Sequence, residues 1–89
     1  MKTLKITGQF KKDLKRYKHK KEKIAALEEV LKILRAGEEI PPEYYPHPLT
    51  GNYKGHMECH VEGDLLLIWL DQETDTIHLV RFGTHSELF

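Results

Sequence analysis

The chain has 89 residues, 39% hydrophobic and 31% charged, with fourteen basic and fourteen acidic side chains that sum to a formal net charge of zero. That length makes one small domain, 1–89, whose core removes only about two-thirds of the extended chain's surface from water, and the apolar content is too high for a disordered chain. No apolar run approaches the roughly 20 residues of a membrane span, the Met-Lys start lacks the apolar region of a secretory signal, and the single cysteine excludes an internal disulfide and fits a reducing, cytoplasmic setting.

Lys2 to Thr7 alternates apolar and polar residues, as a half-buried strand does, with Leu4 and Ile6 on one side. Thr7-Gly8 then opens a helix, Thr7 supplying the cap oxygen, and Phe10, Leu14 and Tyr17 follow as one apolar stripe among lysines. The run Lys18-His19-Lys20-Lys21 has no apolar residue and predicts a break. A second helix is expected from Glu22 to Ala36, its buried face set by Ile24, Leu27, Leu31 and Leu34 and widened by Val30 and Ile33, with Gly37 ending it.

Glu38 to Gly51 reads as a loop in which Pro41, Pro42, Pro46 and Pro48 forbid regular structure. Three strands follow: Tyr53 to Val61, Leu65 to Leu70 (a continuous apolar run covered on both faces, with Trp69 in the core) and Thr76 to Phe82. Polar turns at Glu62-Gly63-Asp64 and at 71–75 separate them, and residues 83–89 form a short tail. The order β-α-α-β-β-β predicts an α+β domain with two helices packed on one face of a small, mainly antiparallel sheet.

The zero net charge hides a division along the chain. Residues 1–35 hold twelve Lys/Arg against four Asp/Glu, a net +8, and residues 36–89 hold two against ten, a net −8. A basic block of this kind suits either an anionic partner or a merely solvated helix face. In the segment from His56 to Val61 a period of two sends Met57, Cys59 and Val61 to the core face and His56, Glu58 and His60 to the open one. Cys59 is then a small buried hydrophobe rather than a nucleophile. Four of the six histidines, His47, His56, His60 and His85, lie in segments able to converge there. Residues i and i+4 on a strand are roughly 13 Å apart, so His56 and His60 do not chelate one metal ion. Two readings of the array stay open: exposed imidazoles without a role, or acid–base chemistry by groups that titrate near neutrality.

The string Pro46-His47-Pro48-Leu49-Thr50-Gly51-Asn52-Tyr53-Lys54-Gly55, the segment Glu58-Cys59-His60-Val61-Glu62-Gly63-Asp64 and the run from Arg81 through Gly83-Thr84-His85 to Leu88-Phe89 together resemble the YafQ-type toxins, a branch of the RelE/ParE superfamily of bacterial type II toxin–antitoxin modules. The front half matches in pattern, with a strand, a Gln-Phe-Lys-Lys-Asp helix start and two basic helices.

The resemblance implies a ribosome-dependent endoribonuclease that cuts messenger RNA without a metal or other cofactor and is held inactive by a DinJ/RelB-like antitoxin. It carries function onto His47, Glu58, His60, Arg81 and His85 as catalytic residues, and onto Asp64, Phe89 and Lys54 on the substrate side, Asp64 being read as orienting a histidine. Glu58 stands where the family often has Asp, and His56 where it often has an aromatic.

RNA carries its own nucleophile, the 2′-hydroxyl, which needs a base; the leaving 5′-oxygen needs an acid, and the phosphorane needs positive charge around it. His60 or His47 is the expected base, His85 the acid and Arg81 the phosphate clamp. Phe89 is expected to stack on a base of the message. The plainer alternatives are a cross-strand ion pair for Arg81 and a chain end folded on the core for Phe89. Lys11, Lys12, Lys15, Lys18, Lys20 and Lys21 are expected to hold ribosomal RNA phosphates. A second class of function, a non-catalytic relative acting through protein partners or on gyrase as ParE-type members do, is disfavoured by the histidines at 47, 60 and 85.

Overall fold

Thr7 joins the first strand to the first helix: its Oγ1 accepts the Phe10 N–H at 3.1 Å and donates to the Val80 carbonyl at 3.2 Å. In the computed structural model, which describes every residue except Glu73, strand β1 spans Thr3–Ile6 and helix α1 spans Gly8–Tyr17. Helix α2 covers Lys21–Arg35 and ends on Gly37 at φ +75°, within a residue of the expected limits. The break between the helices falls at residues 18–20, as the absence of apolar residues there predicts.

Strands β2 (His47–Pro48), β3 (Met57–Glu62), β4 (Leu65–Asp71) and β5 (Thr76–Thr84) complete a five-stranded sheet in the order β1-β5-β4-β3-β2. Among the described residues only the β1–β5 pair is parallel. The turn expected at 71–75 contains Glu73, so it lies partly outside the described residues.

Both helices pack on one face of this sheet. Phe10 and Tyr17 from α1, and Leu27, Val30 and Leu34 from α2, close on Cys59, Val61, Leu65, Leu67, Trp69, Ile77, Leu79 and Phe82, all buried. Trp69 is therefore core, and Cys59 is inaccessible, its thiol pushed up to about 12 by burial and then by the Glu58 charge. The α+β arrangement is the one expected.

Four features differ from the sequence reading. The proline-rich loop is not free of regular structure: it holds a short 3-10 turn at Pro42–Tyr44 and the two-residue strand β2, whose His47 and Pro48 pair with Glu58 and Met57. Proline is tolerated there because β2 is the sheet's outer edge. The strand expected from Tyr53 starts only at Met57, because Gly51–Tyr53 forms another 3-10 turn and Gly55 turns back at φ +91°. Residues 85–88 of the tail form a one-turn helix, α3 (His85–Leu88). Finally, Ile6 on β1 is largely exposed while Leu4 packs on the core.

Candidate active site

The sheet face away from the helices is covered in part by a second, smaller apolar group. Leu66, Ile68 and Leu88 are buried there, with Leu49, Tyr53 and Val80 packed around them. The face on which Glu58 and His60 were expected to lie open is thus partly roofed, and Glu58 is only 5% exposed.

Register across the sheet builds the site on this face. His47 of β2 pairs with Glu58 of β3, Glu58 with Ile68 of β4, and Ile68 with Arg81 of β5. Side chains in register share a face, so His47, Glu58 and Arg81 form one transverse row, with Glu58 and Arg81 two strands or roughly 10 Å apart. A parallel row joins His60, Leu66 and Gly83. Arg81 reaches this face only because of a β-bulge. Trp69 pairs with Leu79 and Ile68 with Arg81, which leaves Val80 as the extra residue. Without it, Arg81 would share the core face with Leu79; the bulge shifts the parity, sends Phe82 to the core and turns Arg81 outward.

At the β2–β3 end, His47 lies between two oxygens: Nδ1 donates to the Tyr45 carbonyl at 2.7 Å and Nε2 lies 3.1 Å from Glu58 Oε1. A carbonyl only accepts, so Nδ1 is the donor there and the Nε2 edge of the ring faces the carboxylate. Tyr45 presents its carbonyl from a left-handed conformation, φ 50°, uncommon for a residue other than glycine. His60 Nδ1 donates to the Gly63 carbonyl at 3.0 Å, which leaves its Nε2 as an acceptor. Tyr45 stands edge-on to the His60 ring at 5.6 Å, and the His47 and His60 rings are 6.4 Å apart. Asp64 is exposed in the β3–β4 turn and does not hold His60; Gly63 does.

At the β5 end, α3 folds back across the sheet. Its first residue is His85, and Leu88 fills the small apolar group beneath. The Phe89 ring lies 5.1 Å from His85 and edge-on to Tyr53 at 5.8 Å. Phe89 is 56% exposed, so it is Leu88 and not Phe89 that folds onto the core. A cleft of about 670 Å³ opens here, lined by Thr50, Asn52, Tyr53, Leu88 and Phe89. His56, just ahead of β3, turns its Nδ1 to the Tyr53 carbonyl at 3.1 Å and is set apart from Glu58 and His60. The His47 and His60 rings form one neighbouring pair, while His56 touches Tyr53 and His85 touches Phe89, two rings that are themselves in contact. Lys54 is exposed in the turn before β3, and Lys11, Lys12, Lys15, Lys18, Lys20 and Lys21 are all exposed.

Arg81 is anchored from behind by Asp13 of α1, a fully buried carboxylate. Its Nε donates to Asp13 Oδ2 at 2.9 Å, its Nη2 to Oδ1 at 3.3 Å, and its Nη1 to the Tyr53 hydroxyl at 3.4 Å. Five N–H donors and three such bonds leave two, one on each terminal nitrogen, for an incoming anion. Asp13 also accepts the Phe82 N–H at 2.9 Å and a Gln9 amide proton at 3.2 Å. Burial pushes its carboxyl up, but these hydrogen bonds outweigh that and hold it below its ordinary value. Asp13 and Tyr53 hold the Arg81 guanidinium, and the sequence reading assigned neither to the site. The available signal was an acid standing between Phe10 and Tyr17 on the buried stripe of α1.

Both ring nitrogens of His47 and the Nδ1 of His60 are engaged by oxygen partners, and among the described residues no group of three or more His, Cys, Asp or Glu is gathered to hold a metal ion.

A small α+β domain with a basic helical front, a mixed five-stranded sheet and a histidine–carboxylate–arginine face is the RelE-like architecture of bacterial toxins. Residues 2–89 match the family profile described as a bacterial toxin of type II toxin–antitoxin system, YafQ, and the chain belongs to that family. It is similar to the mRNA interferase toxin YafQ of Escherichia coli K12, 33% identical over 88 residues covering 97% of this chain and 94% of that one. Among solved structures it resembles the E. coli DinJ–YafQ complex (TM-score 0.87, 30% identity, 100% of this chain and 99% of that one). It also resembles a metal-bound toxin from Helicobacter pylori (TM-score 0.87, 38% identity, 100% of both chains).

Proposed function

We propose that this toxin is a ribosome-dependent endoribonuclease that cleaves messenger RNA by attack of a 2′-hydroxyl on the adjacent phosphorus, with protein side chains moving the protons. The observation that carries the reading is the transverse row of His47, Glu58 and Arg81, flanked by His60 and by His85 and Phe89 on α3. The name mRNA interferase borne by the E. coli relatives agrees with it.

The hydrogen bonds distribute the roles. His60, with Nδ1–H fixed on Gly63 and Nε2 free to accept, is the base that takes the 2′-hydroxyl proton. His47 and Glu58, paired at 3.1 Å beside it, keep the base's surroundings polar and ordered. Arg81 offers its two uncommitted N–H groups to the phosphoryl oxygens as negative charge builds on them. His85, exposed at the start of α3, donates a proton to the leaving 5′-oxygen. Phe89 stacks on a base turned into the cleft beside Tyr53, a contact worth about 1–3 kcal/mol. Asp64 and Lys54, exposed in the turns that flank β3, contact the message, and the lysines of α1 and the α1–α2 break grip ribosomal RNA. A DinJ-like antitoxin, as in the E. coli complex, holds the toxin inactive.

Induced expression followed by mapping of message 5′ ends tests the reading. Cuts inside translated codons are expected for the wild type and none for His85→Ala or Arg81→Ala. Toxicity that survives the His85 change would remove His85 as the acid.

A further inference from the structure

Helix α1 carries two residues, Asp13 and Tyr17, one turn apart and both buried, which the cleavage chemistry does not itself use. Each is tied to a different part of the site. β1 ends at Ile6, having covered β5 only from Thr76 to Leu79, so among the described residues the β5 edge opposite β4 has no strand beside it from Val80 onward. α1 lies along that edge, and the Asp13 carboxylate takes the Phe82 N–H that a neighbouring strand would otherwise accept. The same carboxylate grips Arg81 by two nitrogens. Four residues on, the Tyr17 hydroxyl donates to Glu87 Oε1, the oxygen that also accepts the Thr84 N–H at 2.7 Å and closes the cap of α3. Arg16 reaches the other Glu87 oxygen at 3.3 Å. Burial and then this carboxylate push the Tyr17 hydroxyl up to about 12, so it stays a donor at any physiological pH.

We propose that Asp13 and Tyr17 are positioning residues of the cleavage site: through Asp13 helix α1 aims the guanidinium of Arg81, and through Tyr17 and Glu87 it fixes the turn that presents His85. The inference rests on the cleavage reading above. It makes α1 a brace that bears lysines on its outer side and sets the phosphate clamp and the acid on its inner side. A misplacement of either group by about 1 Å costs on the order of 100-fold in rate.

The test uses the full chain on ribosomes carrying a message, with Asp13→Asn, Tyr17→Phe, Arg81→Gln and the Asp13→Asn/Arg81→Gln double variant. The single-turnover rate at saturating toxin is expected to fall roughly 10- to 100-fold for Asp13→Asn and for Tyr17→Phe, with the half-saturating concentration unchanged. In the double variant Asp13→Asn is expected to add nothing to the loss caused by Arg81→Gln. A full additional loss there would show that Asp13 acts on the rate independently of Arg81 and would overturn its role. The Arg81 Nε–H resonance, followed by NMR, reads the positioning without activity: slow exchange in the wild type and loss of protection in Asp13→Asn are expected, and an unchanged resonance overturns the claim. Should Asp13→Asn fail to fold, Tyr17→Phe, which keeps the ring in the core, decides alone, and an unchanged rate overturns the proposal. A wild type that cleaves nothing defeats the cleavage reading itself, a result distinct from any of these.

Discussion

Glu58 faces His47 across the β2–β3 pair with one oxygen, Oε1, at 3.1 Å from Nε2, while the other, Oε2, is buried with no partner among the described residues. A carboxylate in that position costs stability, and on the proposed cleavage reading it is held for chemistry. An unsatisfied buried polar atom costs about 1–3 kcal/mol, and Met has nearly the shape of Glu without the charge. Glu58→Met is therefore expected to raise the melting temperature, by roughly 4–8 °C for each ~1 kcal/mol recovered, while cleavage is lost. Calorimetry beside the cleavage assay checks this; a lower melting temperature would show that Glu58 stabilises the fold.

Asp13 and Arg81 make the opposite trade. Removing one partner of a buried, hydrogen-bonded ion pair costs about 3–5 kcal/mol, a large share of the roughly 5–15 kcal/mol that holds a small domain together. Asp13→Ala is expected to show that loss in urea unfolding at neutral pH. The sign of the pH dependence follows from the folded carboxyl lying below its ordinary 3.8. Its contribution is complete above about that pH and is lost as pH falls through the folded value. The wild type should thus lose stability on acidification below about pH 4, and Asp13→Ala should lose less over the same range.

Gly83 is where α3 folds back on the sheet. A Cβ built there would stand 2.9 Å from Glu87 Oε1 and 3.2 Å from Leu88 Cδ2, and Glu87 is held in place by Tyr17, Thr84 and Arg16. Gly83→Ala is expected to lift α3, cost about 1–3 kcal/mol and depress cleavage as strongly as loss of His85. An intact cleavage rate would show that α3 tolerates displacement.

Most of the fold was legible in the sequence because it rests on periodicity. The stripe Phe10, Leu14, Tyr17 and the unbroken run from Leu65 predicted α1 and β4, and the parity of Met57, Cys59 and Val61 predicted which face meets the helices. What was not legible depends on single residues placed by tertiary pairing. β2 is two residues long and exists only because His47 and Pro48 pair with β3. The side on which Arg81 emerges depends on the extra residue Val80, and a bulge leaves no mark on a period of two. Asp13 was counted with the charged residues of a basic helix although it sits on the buried stripe. His47, Glu58 and His60 were singled out by strand parity and position and given roles by the resemblance, but not the Tyr45 and Gly63 carbonyls that fix the two imidazoles.

Lys11 and Lys15 on the exposed side of α1, opposite Asp13 and Tyr17, and Lys18 just past its end follow one another at helical spacing. Reversing all three to Glu is expected to weaken ribosome association and flatten its dependence on salt, by about 0.7–0.9 in the log–log slope for each RNA phosphate that is no longer neutralised. The circular dichroism spectrum should be unchanged. An unaltered slope would mean that this face is only solvated.

The most direct measurement of the central claim compares one message, free and in the ribosomal decoding site, with a 2′-deoxy nucleotide at the mapped cut and without it. Cleavage is expected only on the ribosome and only where the 2′-hydroxyl is present, with a 5′-hydroxyl on the downstream fragment. Cleavage of the deoxy message, or of the free message at a similar rate, would contradict the account.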